Sequence, residues 1–189
     1  WYSPKPSQIA TATGSGRASD NVAANSQTTA MIAAVMGARS STGRSMAAKT
    51  ALVLKDNAGV ALPPALLGRR GPAILEVWFP GQEDGNIVAD LLFGTRNPAG
   101  KLPVTFPVAG KGFLDAATPA QFPGVVSADG RSQTVTYEER LHIGYRWYDA
   151  NVSGKCALVR GRNPCIAFPF GHGLSYTRFA MAPPRLITG

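Results

Sequence analysis

The chain has 189 residues, 44% of them hydrophobic, with 19 basic and 11 acidic side chains and a formal net charge of +8. That length holds one ordinary domain and the edge of another, and the apolar share excludes wholesale disorder. No apolar run approaches the roughly 20 residues of a membrane-spanning helix, and the basic residues are scattered without the blocks or spacings of nucleic-acid binders, so neither a membrane nor a nucleic acid is expected as a partner.

The chain opens on Trp1 with no basic-then-apolar leader, which fits a fragment or processed chain better than a complete translation product. Residues 1–49 read poorly. Ile9 to Thr13 suits a short strand, and Gly14-Ser15-Gly16 a turn, because that motif lacks the third glycine and the later acidic residue of a dinucleotide fingerprint. Met31, Ile32, Val35 and Met36 recur at helical spacing and predict a helix over Thr28 to Met36. Ala38 to Ser45 has no period and reads as a loop, an insertion or sequence foreign to a fold.

Leu52-Val53-Leu54 has the composition of a buried parallel strand. Asn57 to Gly59 turns the chain, Leu62-Pro63-Pro64 leads across the surface, and Arg69-Arg70-Gly71 is a basic turn. Ile74, Leu75, Val77, Trp78 and Phe79 then form a second strand run, stopped by Pro80-Gly81. Ile87, Val88, Leu91 and Leu92 draw one apolar stripe on a short helix. Glu83 and Asp84 complement its positive end, and Gly94 ends it in a left-handed conformation. Asn97-Pro98 and Gly100 turn the chain before an extended Leu102 to Phe106. Two strands joined by a crossover suit a parallel sheet covered by helices.

Val108 to Ser132 is rich in Gly, Ala and Pro and reads as a long exposed loop. Tyr145 to Tyr148 alternates along an extended segment, with Glu138-Glu139 on a strand just before it. Cys156 and Cys165 leave two readings open: a disulfide across a short loop, or two unpaired small hydrophobes. Two cysteines and two distant histidines are too few for a metal, and none is expected. Asn151-Val152-Ser153 is a formal glycosylation sequon, meaningful only for a chain secreted through a eukaryotic pathway.

Pro80-Gly81-Gln82, Gly85, Ala89, Leu92, Gly94, Asn97-Pro98, Gly100, Leu102-Pro103, Thr105 and Pro107 together resemble, without a gap, the signature of the C-terminal domain of family 3 glycoside hydrolases. Two further blocks, Tyr137 to Asp149 and Phe168 to Thr177 with Phe179, resemble the same family, with Arg140 where the family has glycine. The resemblance covers Thr50 to Phe179. It implies an α/β fold, part of an α/β sandwich with a parallel-type sheet flanked by helices. Residues 180–189 would be a linker or the first strand of a fibronectin type III-like domain. The implied activity is retaining hydrolysis of terminal β-linked sugars without a cofactor, on a β-linked oligosaccharide or aryl glycoside. A non-catalytic sugar-binding or scaffold module, or an inactive gene fragment, is the alternative. The compartment stays open, with a secreted or periplasmic one preferred over the cytoplasm.

Retaining hydrolysis needs two carboxyl groups about 5 to 5.5 Å apart. The resemblance places the nucleophilic aspartate on a separate N-terminal (β/α)8 barrel, which no part of this chain resembles. It places the acid/base glutamate in an acidic loop before residue 50, yet Asp20 is the only carboxylate between Trp1 and Lys55 and the first glutamate is Glu76. No catalytic residue is therefore assigned, and no substrate-binding residue either. That departure, in a run rich in Arg, Ser, Gly and Ala, fits a shifted reading frame or a degenerated gene. Glu83-Asp84 is explained by its helix start, and Glu138-Glu139 by an ion pair with Arg140 or Arg146. His172 and Ser175 lack the context of a nucleophile elbow and read as turn residues. Trp78 reads as core, while one face of the Tyr145–Tyr148 aromatics is left for a sugar ring.

Overall fold

The computed structural model describes residues 26–56, 58–184 and 186; the strand expected at Ile9–Thr13, the turn at 14–16 and Asp20 lie outside them. Helix α1, Ser26–Gly37, contains the helix read from residues 28–36. Ile32 and Met36, one turn apart, pack on the core while Met31 faces out. The Ala38–Ser45 run forms a tight turn closed by an Arg39–Ser45 bridge, with Ser40 N–H donating to the Arg44 carbonyl at 2.8 Å.

Strand β1, Ala51–Leu54, pairs in parallel with β2, Ala73–Glu76, in the register Ala51 to Ala73 and Leu54 to Glu76. The expected parallel pair is present. Residues 55–72 between the two carry only a single 3-10 turn, Pro64–Leu66, among those described. This segment does not lead across the surface as expected. Leu62 is 0% exposed, held by bonds from its N–H to the Pro107 carbonyl at 2.9 Å and from Ala109 N–H to its own carbonyl at 3.0 Å. The two prolines after Leu62 suggest a surface path, but backbone pairing on both sides of the Leu62 peptide draws it inward.

The second strand is shorter than its apolar run. Glu76 is its last residue, Val77 N–H makes one more bond to the Leu54 carbonyl at 3.1 Å, and Trp78 turns away at φ 52°. Pro80 and Gly81, the latter at φ 80°, complete the turn. Helix α2, Asp84–Leu92, follows, and Gly94 at φ 81° terminates it in the left-handed conformation expected.

Strand β3, Phe106–Pro107, pairs antiparallel with β6, Ile166–Phe168. The expected 108–132 loop is partly ordered: it holds a one-turn helix α3, Phe113–Ala116, and β4, Val125–Val126, pairs with β5, Gln133–Thr134. Leu54, Val60, Leu62, Leu66 and Phe106 form the main core, against which Leu52, Ile74, Trp78 and Phe168 pack. Trp78 meets Phe106 edge to face at 6.0 Å between ring centroids, so its reading as core holds although it lies outside the strand.

The segment read as extended at 145–148 is instead helix α4, Tyr145–Ala150. Gly144, at φ 55°, turns the chain into it, and burial then decides the matter: Trp147 and Tyr148 enter a second core with Cys156 and Cys165. The two cysteines are disulfide-bonded, with Cα atoms 5.5 Å apart, which closes the alternative of free thiols. Glu138 and Glu139 lie in a turn rather than on a strand, and among the described residues neither forms an ion pair with arginine. Thr118 Oγ1 donates to Glu138 at 3.4 Å and Gln121 Nε2 donates to Glu139 at 3.0 Å.

Arg140 takes φ 50°, the left-handed conformation in which a side chain is strained. Arg140→Gly is expected to raise stability by about 0.5–1 kcal/mol, since relief of that strain outweighs the added freedom of the unfolded glycine. A urea midpoint equal to or below that of the parent chain contradicts this.

Candidate functional site

Ionisable side chains gather where the parallel strands end. This is the edge of a parallel sheet at which α/β proteins place their sites. Lys55 and Asp56 follow β1 directly, and Glu76 closes β2. Leu54 lies beside Glu76 in the parallel pair, so Lys55 and Asp56, just past the end of β1, leave the sheet at the edge where Glu76 ends β2. Lys55 forms an ion pair with Asp84, the first residue of α2, and so ties the strand end to the helix start.

Glu76 Oε1 accepts the Trp78 N–H at 2.7 Å. Its other oxygen, Oε2, is buried without a hydrogen-bond partner, as are Asp56 Oδ1 and Asp84 Oδ1. Burial pushes the Glu76 carboxyl up to about 7; Asp56 adds to this, and the Trp78 and Val77 N–H groups oppose it. Burial alone pushes Asp56 up to about 6. At neutral pH this edge therefore holds carboxyl groups partly in their acid form. Among the described residues, no group of three or more His, Cys, Asp and Glu side chains is arranged to hold a metal ion.

Of the residues weighed from the sequence, only Asp84 joins this cluster. Glu83 accepts the Asn86 amide at 2.6 Å on the exposed flank of α2. His172 stacks on Phe168 with centroids 5.0 Å apart. Ser175 donates to Asn97 Oδ1 at 3.0 Å, and the same oxygen takes the Tyr176 N–H at 2.9 Å. Asn97 thereby clamps the C-terminal segment to the turn after α2, and the Tyr176 hydroxyl adds a bond to the Leu91 carbonyl at 2.7 Å. Of the α4 aromatics, Trp147 and Tyr148 are buried, whereas Tyr145 is exposed beside Phe170 with Arg146 over its ring. The sequon asparagine, Asn151, donates its amide to the Trp147 carbonyl at 2.8 Å and closes the end of α4.

Sequence reasoning missed Asp56 and Glu76. The signal was present as a charged pair just after Leu52-Val53-Leu54 and a lone glutamate inside Ile74-Leu75-Glu76-Val77-Trp78. The parallel pairing of β1 with β2 brings the two strand ends together, and Asp56 acts on Glu76 there.

Comparison with known proteins bears on what this domain is. Beta-glucosidase B of Emericella nidulans is 43% identical over 114 residues, covering 58% of this chain and 12% of that protein. The probable beta-glucosidase H of the same organism is 36% identical over 140 residues, 74% of this chain and 14% of that protein. A beta-glucosidase of Rhizobium radiobacter is 41% identical over 114 residues, 60% of this chain and 12% of that protein. The chain thus spans about an eighth of the length of the curated relatives it matches. No solved structure matches it. The sequence pattern described as the glycosyl hydrolase family 3 C-terminal domain matches residues 7–176, on the same Pro80–Pro107 unit that the structure folds as turn, helix and turn, and the chain belongs to that family.

Proposed function

We propose that the chain is the C-terminal portion of a retaining β-glucosidase-like hydrolase acting on terminal β-linked sugars. The observation that carries this is the family match over residues 7–176, together with relatives named beta-glucosidase at 36–43% identity. In this reading residues 50–179 are part of an α/β sandwich, residues 1–49 are a divergent lead-in, and residues 180–189 lead toward a fibronectin type III-like domain. The nucleophile belongs to a (β/α)8 barrel outside this chain. The barrel leans on the parallel-strand edge, and this domain closes one wall of the sugar pocket.

The chemistry fits that division. Cleavage with retention needs a carboxylate nucleophile and a proton donor on opposite sides of one glycosidic bond. Glu76 Oε2 and Asp56 Oδ1 are buried without partners, and burial raises the two carboxyls to about 7 and about 6. The test is an exchange of parts. Residues 50–179 replacing the matching segment of the Rhizobium radiobacter beta-glucosidase should give a folded chimera that still hydrolyses an aryl β-glucoside. A chimera that folds, judged by cooperative unfolding, and has no hydrolysis contradicts the reading.

A further inference from the structure

The Cys156–Cys165 bridge closes the base of a hairpin whose tip runs against its own backbone preference. Val159 and Arg162 exchange both backbone bonds, at 2.9 and 3.0 Å, around a two-residue turn in which Arg160 and Gly161 take φ 52° and 74°. Two left-handed residues in succession are what a type I′ turn demands, and asparagine, aspartate or glycine meets the first position at less cost than arginine. Strain of this kind points to a use for the side chain that bears it.

The surroundings say which use. Lys155, Arg160 and Arg162 are all exposed, and among the described residues none of them forms an ion pair. Asp149 is the last acid of the chain, and the 40 residues after it carry five lysines and arginines. Along the sequence these cations look scattered, but the turn brings Arg160 and Arg162 to one tip, and Lys155 lies beside the bridge at its base. Among them stand Leu158 and Val159, 53% and 59% exposed. Val159 lies opposite Arg162, and directly opposed residues share one face of a hairpin, so an apolar and a cationic side chain project together. Residues 155–165 include no aromatic ring on which a sugar could stack.

We propose that this hairpin tip is a contact for an anionic lipid surface. Arg160, Arg162 and Lys155 meet the negative headgroups, while Leu158 and Val159 enter the boundary between headgroups and acyl chains. Apolar and cationic side chains mixed on one tip suit that boundary better than a polysaccharide, which offers no apolar depth. The bridge holds the tip in place beforehand, so little order has to be gained on contact. The contact is peripheral: no described helix is long and apolar enough to cross a membrane.

The test mixes the full chain with vesicles of phosphatidylcholine, alone or with about one third phosphatidylglycerol, and reads the bound share by sedimentation. Binding is expected with the anionic vesicles only and should weaken as salt is added. Arg160→Gly with Arg162→Gln, which relieves the strained turn, should lower affinity about 25-fold, about fivefold for each cation removed. Leu158→Ser with Val159→Ser should weaken binding at every salt concentration. Arg69→Gln with Arg70→Gln removes the same charge from another exposed turn and should leave affinity nearly unchanged. Hydrogen exchange on the parent chain locates the contact without any variant: the Arg160 and Gly161 amides should slow when anionic vesicles are added. A parent chain that ignores anionic vesicles, equal losses in the hairpin and Arg69/Arg70 variants, or slowed exchange only outside residues 155–165 overturns the proposal. So does retention on an acidic polysaccharide without vesicle binding.

Discussion

Truncating Phe106 to alanine is expected to cost about 3–5 kcal/mol, the range for removing a fully buried aromatic ring. Phe106 is 1% exposed and joins several parts of the fold at once. Its backbone pairs with Phe168 of β6, and its ring meets Trp78 edge to face. Leu54, Val60, Leu62 and Leu66 share its cluster. Gly59 also approaches within 3.2 Å of the ring from the crossover side, as measured from where a Cβ would sit. A cavity there removes support from both strand pairs, so little collapse can refill it. Urea unfolding with tryptophan emission reads the change; a loss below about 1 kcal/mol is inconsistent with a core centred on this ring.

Opening the Cys156–Cys165 bridge is the second large effect. Nine positions separate the cysteines. Chain-entropy reasoning gives about 2.7 kcal/mol for closing so short a loop. Both sulfur-bearing side chains are buried against Trp147 and Tyr148, so packing adds to the constraint. The loop between them reverses at its middle in a tight turn in which Arg160 and Gly161 take φ 52° and 74° between the bridged Val159 and Arg162. The double variant Cys156→Ala, Cys165→Ala should lose about 2–3 kcal/mol and its unfolding should no longer respond to reductant. An unchanged midpoint shows that the second core holds without the bridge. Phe113, which meets Trp147 edge to face at 5.8 Å, would then be carrying that corner.

How far the sequence reveals this fold depends on whether local and tertiary signals agree. From Pro80 to Gly94 they agree: Pro-Gly stop, amphipathic turn-helix and terminal glycine each point to the element that forms, while the apolar run before them gives a strand that ends early, at Glu76. The left-handed Arg140 was also legible, because a family glycine marks a backbone conformation rather than a side chain. Where the two signals conflict, pattern reading fails. The alternating aromatics of Tyr145–Tyr148 suggest an extended chain, yet Gly144 and the burial of Trp147 and Tyr148 against the disulfide wind them into a helix. Leu62, followed by two prolines, suggests a surface path and is instead the centre of the core. The carboxyl pair at the sheet edge was the least legible feature. Asp56 and Glu76 are far apart in sequence, and the parallel pairing of β1 with β2 brings the strand ends that carry them together. Their altered acidity arises from burial, which no local pattern encodes.

The division of labour proposed for this domain is a statement about where the chemistry is not. The described residues build an ordered sheet edge, a helix docked to it by Lys55 and Asp84, and a bridged corner. The most direct measurement is release of the aryl alcohol from an aryl β-glucoside by the purified chain, followed at enzyme concentrations high enough to detect a few turnovers. No release above buffer is the predicted result. Turnover that persists through purification and saturates with substrate would contradict the account and place both catalytic carboxyls within these 189 residues.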